Sequence, residues 1–182
     1  VKEYEKNVYN LALRMVGNSE DAADMSQEAF IKAYNSLTSF RGDSKFSVWL
    51  YRIVSNVCLD YLRSRGRRQT VSLSTENDDG EDVEIDIADE TQSPERLLDR
   101  RLTRDAVRRG LAALPPEHRQ ILLLREIQGL SYDEIADALG IEAGTVKSRI
   151  FRARKKLCAF LIKDGNIPEF VSSSKQRGGD LS

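Results

Sequence analysis

The stretch from Gln69 to Ser93 limits the possible folds more than any other feature of this chain. Between Gln69 and Glu95 there are ten Asp or Glu and no Lys or Arg. Apolar residues there keep neither a helical nor a strand period. Such a segment cannot bury enough apolar surface to offset the entropy of ordering it, so it reads as a flexible acidic linker. It divides the 182 residues into two pieces, each of which must build a small core of its own. The predicted organisation is a helical domain over 1–68, the linker over 69–93, a second helical domain over 94–165 and a disordered tail over 166–182.

Both pieces read as all-α. In DAADMSQEAFIKAYNSL, Phe30, Ala33 and Leu37 form an apolar stripe at helical spacing, and Asp21, Asp24 and Glu28 line another face. A loop around Gly42 and Asp43 follows. The next helix repeats Trp49, Ile53, Val57 and Tyr61 every four residues. It ends in the cluster Arg63, Arg65, Arg67 and Arg68, with Gly66 as a stop signal. After the linker, Ser93 and Pro94 open a helix whose apolar side is Leu98, Leu102 and Leu111. The string LPPEH breaks that helix, and a further one stops at Gly129.

The end of the second piece carries a sharper pattern. Ser131 and Glu134 have capping-box spacing, and Gly140 suits a left-handed helix end. Ala136, Gly140 and Val146 stand at offsets 0, 4 and 10, the helix-turn-helix pattern of a small crossing residue, a turn glycine and an apolar anchor. With Val146 and Ile150 inward, Thr145, Lys147, Ser148, Arg149, Phe151 and Arg152 fall outward or to the sides. TVKSRIFRARKKL packs six Lys and Arg into thirteen residues, although the formal net charge is only −1. A helix with that outer face suits the major groove, where cations can read guanine edges and hydroxyls can donate to phosphates. Arg154, Lys155 and Lys156 lie further along and suit the DNA backbone.

The two halves together resemble a bacterial sigma factor of the extracytoplasmic-function class. The strings that carry the resemblance are EDAADMSQEAFIKAYNSLTSFRGDSKFSVWLYRIVSNVCLDYLR and LPPEHRQILLLREIQGLSYDEIADALGIEAGTVKSRIFRARKKL. It implies a region 2 bundle over 1–68 and a region 4 helix-turn-helix domain over 94–165. It implies a subunit that binds core RNA polymerase, recognises the −35 and −10 promoter elements and promotes melting, in a stress or envelope response. Polymerase docking falls to Asp21, Asp24, Gln27, Glu28 and Lys32, against the clamp helices of the largest subunit. Phe40, Asn56, Arg63, Arg65, Arg67 and Arg68 match the element that captures the −10 strand, with Asn56 at the position of a base-contacting asparagine. Trp49 is read as core and not as a melting wedge. For the −35 element the matching residues are Thr145, Lys147, Ser148, Arg149, Phe151, Arg152 and Lys155.

The flap of the second-largest polymerase subunit and an anti-sigma factor are further partners that the resemblance implies. Members usually begin with a further helical stretch, whereas this chain starts at Val1, already inside the matching region. The second half alone would also suit a stand-alone helix-turn-helix regulator, which leaves the DMSQEAF helix and the acidic tether without a role.

Other classes find no support. There is no Gly-rich phosphate loop, nucleophile elbow or plausible triad, so an enzyme with a small-molecule substrate is not expected. The single histidine, His118, and the widely spaced Cys58 and Cys158 match no metal site and suggest no cofactor. Without an apolar run of about 18 residues, no membrane insertion is expected, and the cytoplasm is the predicted location.

Overall fold

The structure is a computed structural model that describes residues 2–71 and 94–164, with side chains over 4–68 and 102–164. The predicted tail, and the predicted linker from residue 72 onward, lie outside the described residues. Among the described residues the elements are helical throughout: α1 (Lys2–Val16), α2 (Ser19–Ser36), α3 (Phe46–Val71), α4 (Pro94–Ala113), α5 (Pro116–Leu122), α6 (Tyr132–Leu139) and α7 (Ala143–Lys163).

The first three helices form a bundle. Asn18 caps α2, accepting from the Asp21 main-chain N–H at 2.8 Å. The buried stripe of α2 is Ala22, Met25, Ser26, Ala29 and Ala33, so of the predicted Phe30–Ala33–Leu37 stripe only Ala33 is buried. Small residues let α2 approach α1 and α3 closely. Phe30 is half-buried and Leu37 is exposed. Helix α3 also runs through Gly66 to Val71, correcting the predicted stop. Glycine in a helix interior costs only about 1 kcal/mol, which a long helix flanked by good helix formers can bear.

In the second half, Leu102 on α4 is exposed, against expectation. Gly110 instead sets the contact of α4 with α7, because a Cβ there would come within 2.6 Å of the Leu157 side chain. A π-helical stretch over Leu123–Ile127 continues α5. Six consecutive residues, Arg119 to Leu124, are buried. That is possible because α5 is enclosed by α1, α3 and α7. The capping box of Ser131 and Glu134 is formed at α6, and Gly140 ends that helix at φ 63°. Val146, Ile150 and Ala153 anchor α7.

One relationship has no counterpart in the sequence pattern. The two halves share a continuous core running from Val8, Leu11 and Met15 through Val54 and Cys58 to Ile121, Ile135, Val146 and Ile150.

Candidate nucleic-acid interface

The outer face of α7 follows from its buried one. With Val146, Ile150 and Ala153 inward, Lys147, Phe151, Arg152 and Lys155 are exposed, and Thr145, Ser148 and Arg149 are half-buried at the flanks. Phe151, at 69% exposure, is a large apolar side chain standing in solvent among cations. The Ser148 hydroxyl donates to the Thr145 carbonyl at 3.0 Å, while Arg152 reaches back to Ser148. Arg154, read from the sequence as a DNA grip, is exposed and paired with Glu126. That carboxylate holds its guanidinium proton more firmly, so its pKa is raised.

The face expected to hold the −10 strand lies along α3 and the loop before it. Phe40 is half-buried in an aromatic cluster, with ring centroids 5.1 Å from Trp49 and 5.8 Å from Phe46. Trp49 itself is buried, as core packing requires. Trp49, Asn56 and Arg63 recur every seven residues and so share one side of α3. Arg63 donates from Nε and Nη2 to Glu117 of α5, at 3.2 and 2.9 Å. Asn56 Oδ1 accepts from Gln120 Nε2 at 3.1 Å. Arg65 points to the other side and pairs with Asp21 at 3.1 Å, while Arg67 and Arg68 are exposed.

The predicted polymerase-docking residues are on α2. Asp24, Gln27 and Glu28 are exposed, with Glu28 in an ion pair with Lys32 at 2.7 Å. Asp21 is half-buried and held by Asn18 and Arg65, so it is tied to the fold more than the others. Beside these carboxylates runs an open groove of about 860 Å³ between α1 and α2, lined by Tyr9, Gln27, Phe30, Ile31 and Tyr34 among others. Ile31 and Tyr34 are exposed, so the face combines apolar surface with negative charge.

Comparison with known proteins decides what these surfaces belong to. Residues 1–68 match the family model for sigma-70 region 2, and residues 104–157 match that for sigma-70 region 4. The RNA polymerase sigma-H factor of Pseudomonas aeruginosa is 44% identical over 158 residues, covering 86% of this chain and 81% of that relative. The ECF RNA polymerase sigma-E factor of Escherichia coli is 44% identical over 158 residues, covering 86% and 82%. The chain belongs to the sigma-70 family. Its fold is also similar to the sigma factor RpoE of Bartonella quintana, solved with the anti-sigma factor NepR. The TM-score is 0.66 and the identity 26%, over 90% of this chain and 96% of that one.

As an RNA polymerase sigma factor, the protein serves promoter recognition, and its extracytoplasmic-function class agrees with the resemblance. Among the described residues no helix of this sigma factor is long and apolar enough to cross a membrane. No group of three His, Cys, Asp or Glu among them is arranged to hold a metal ion.

Sequence reasoning missed a set of residues in the sigma factor that join its two halves. Lys45 bonds Glu134 at 3.1 Å, and this partner and the Ser131 N–H hold the Glu134 carboxyl below the ordinary range, the N–H more strongly. Glu117 is also lowered, by its own main-chain N–H and then by Arg63. The Arg119 guanidinium, 6% exposed, donates to the carbonyls of Met15 on α1 and Ala112 on α4. Buried polar side chains such as Arg119 and Gln120 have no sequence signature. The string EHRQ at the start of α5 looks like an ordinary solvated helix turn.

Proposed function

We propose that α2 docks on core polymerase, that α3 and its preceding loop hold the −10 strand, and that α7 reads the −35 element. The observation that carries this assignment is the separation of surfaces: one acidic and apolar face on α2, and cationic faces on α3 and α7. Asp24, Gln27 and Glu28, beside the groove of Phe30, Ile31 and Tyr34, suit a basic, partly apolar protein helix and would repel phosphate. Asp21 and Lys32 border that face.

On α3, Asn56 offers an amide for a base edge, Phe40 an aromatic wall, and Arg63, Arg65, Arg67 and Arg68 a path for the backbone. On α7, Lys147, Arg149 and Arg152 suit guanine edges and phosphates, and Thr145 and Ser148 can donate hydrogen bonds. Phe151 suits a thymine methyl, and Lys155 a phosphate. The region 2 unit is taken as 1–68 and the region 4 unit as 94–165, with 69–93 as tether.

A relative solved with an anti-sigma factor supports an anti-sigma partner here, and likeness to an ECF sigma-E factor supports an envelope-stress role. The protein would act in the cytoplasm as a non-enzymatic initiation factor.

The test is co-elution with sigma-free core polymerase on a sizing column, with an Asp24→Arg/Glu28→Arg variant alongside. Stoichiometric comigration that the variant loses supports the docking face. A wild-type chain that stays apart from core yet shifts duplex DNA would favour the stand-alone regulator.

A further inference from the structure

Arg152 and Arg154 of α7 are both held within the fold, but by partners of different kinds. Arg154 meets the carboxylate of Glu126, which offsets its charge. Arg152 meets uncharged groups, both on Ser148 one turn earlier in the same helix. Its Nε donates to the Ser148 carbonyl at 3.3 Å and its Nη2 to the Ser148 hydroxyl at 3.2 Å. The hydroxyl donates its one proton to the Thr145 carbonyl at 3.0 Å, which leaves its oxygen to accept from Arg152. Ser148 is half-buried, whereas Arg152 is exposed.

Nε and Nη2 lie on one edge of the planar guanidinium. With that edge occupied, the edge formed by Nη1 and Nη2 still carries two parallel N–H groups, the pair that fits the O6 and N7 acceptors of guanine. Neutral partners also leave the positive charge unquenched. The hold draws the head group back by one helical turn, about 6 Å at the rise per residue of an α-helix, toward the N-terminal end of α7. That end of a recognition helix is the part that meets base edges. An arginine left loose would have to be ordered on binding, and holding it beforehand removes that cost.

We propose that Ser148 is a positioning residue for −35 readout: its carbonyl and hydroxyl hold Arg152 by one edge, so that the other edge is presented to a guanine. The inference rests on the assignment of α7 to the −35 element and gives Ser148 a different part in it. With its proton spent on Thr145, the hydroxyl acts through Arg152 and not by donating to DNA.

The test measures binding of holoenzyme, made with the full chain, to a fluorescein-labelled duplex that the parent holoenzyme selects from random sequences. A matching set carries 7-deazaguanine, which lacks the N7 acceptor, at each guanine in turn. The guanine whose replacement weakens the parent but not Arg152→Ala is the one that Arg152 reads. Ser148→Ala is expected to weaken binding to the unmodified duplex about fivefold and to blunt the effect of 7-deazaguanine at that base, with the salt slope unchanged. Added to Arg152→Ala, it should change nothing further. Alanine favours a helix more than serine does, so a loss in this variant is not a loss of α7 itself.

An equal loss from Ser148→Ala with and without Arg152 would overturn the proposal, because Ser148 would then touch DNA directly. So would a Ser148→Ala holoenzyme that binds every duplex as the parent does, or an Arg152→Ala holoenzyme that binds more weakly yet stays sensitive at every guanine. Should the parent select no duplex, or Arg152→Ala match the parent throughout, the failure lies in the assignment of α7 and Arg152 to the −35 element, and the proposal falls with it.

Discussion

Arg119, on α5, donates from its guanidinium to the main-chain carbonyl of Met15, near the end of α1 and on the other side of the acidic segment. A second nitrogen of the same group bonds Ala112 near the end of α4 at 2.6 Å. The cation therefore sits where two helices present their unpaired carbonyls and the negative ends of their dipoles. Burial alone lowers the pKa of Arg119, with no carboxylate offsetting it. Arg119→Ala leaves the buried Met15 carbonyl without its donor, removes the bond to the more exposed Ala112 carbonyl, and should cost about 1–3 kcal/mol. Arg119→Lys should recover little of this, since an ammonium on a shorter reach cannot fork between two helices. Urea unfolding of the three chains measures both; equal midpoints would mean that α5 is not seated on α1 in solution.

His118, the single histidine of the chain, has its pKa lowered by burial first and then by Lys156 and Arg152. Its Nδ1 is buried without a partner. A depressed histidine pKa means that the unfolded chain takes up the proton more readily than the folded one. Stability should therefore fall as pH drops below the ordinary histidine value, down to the folded-state value. The lowered pKa of Glu117 acts in the same direction at more acidic pH: its stabilising effect is complete above the ordinary carboxylate range and is lost below it. A proton-NMR titration can follow the ring directly, because only one histidine signal exists. Duplex DNA, by placing phosphates near Arg152 and Lys156, should raise the observed midpoint.

The two thiols should differ sharply in reactivity. Cys58 is fully buried in α3, and burial pushes its thiol up to about 12. Cys158, on α7, is half-buried. A thiol reagent at neutral pH should modify one cysteine in the native chain and two in denaturant. Two fast native thiols would show that the core around α3 opens readily.

Along α7 the residues should separate by role when holoenzyme binding to a −35 duplex is measured against salt. Lys155→Ala is expected to reduce the salt slope by about one, as for a single phosphate contact, with no change in base preference. Phe151→Ala should relax preference at a thymine and leave the slope unaltered. Arg154→Ala should change neither, because its guanidinium is committed to Glu126. The loss of that exposed pair should cost under about 1 kcal/mol of stability. An Arg154→Ala chain with a reduced slope would return that residue to the DNA contacts.

Local chemistry made much of this molecule legible in one dimension. The capping box at Ser131, the left-handed turn at Gly140 and the anchors Val146 and Ile150 are read directly from residue types a few positions apart. That is why the outer face of α7 follows from its sequence. The same reasoning failed on α2, where small residues and not Phe30 carry the packing, and at Gly66, where the helix continues. Both errors come from treating a helix alone, when its neighbours decide which side is covered.

The all-helical class, the helix-turn-helix and the residue types of each face follow from the order of residues alone, because these depend on contacts within a few turns of chain. Packing between segments distant in the chain buries Arg119 and Gln120, sets Arg154 against Glu126, and rests Glu117 and Gln120 on Arg63 and Asn56. Those partners are up to 104 residues apart in the chain. A polar side chain looks the same in sequence whether water or a distant carbonyl will satisfy it, and only the packing of α5 among α1, α3 and α7 selects the carbonyl.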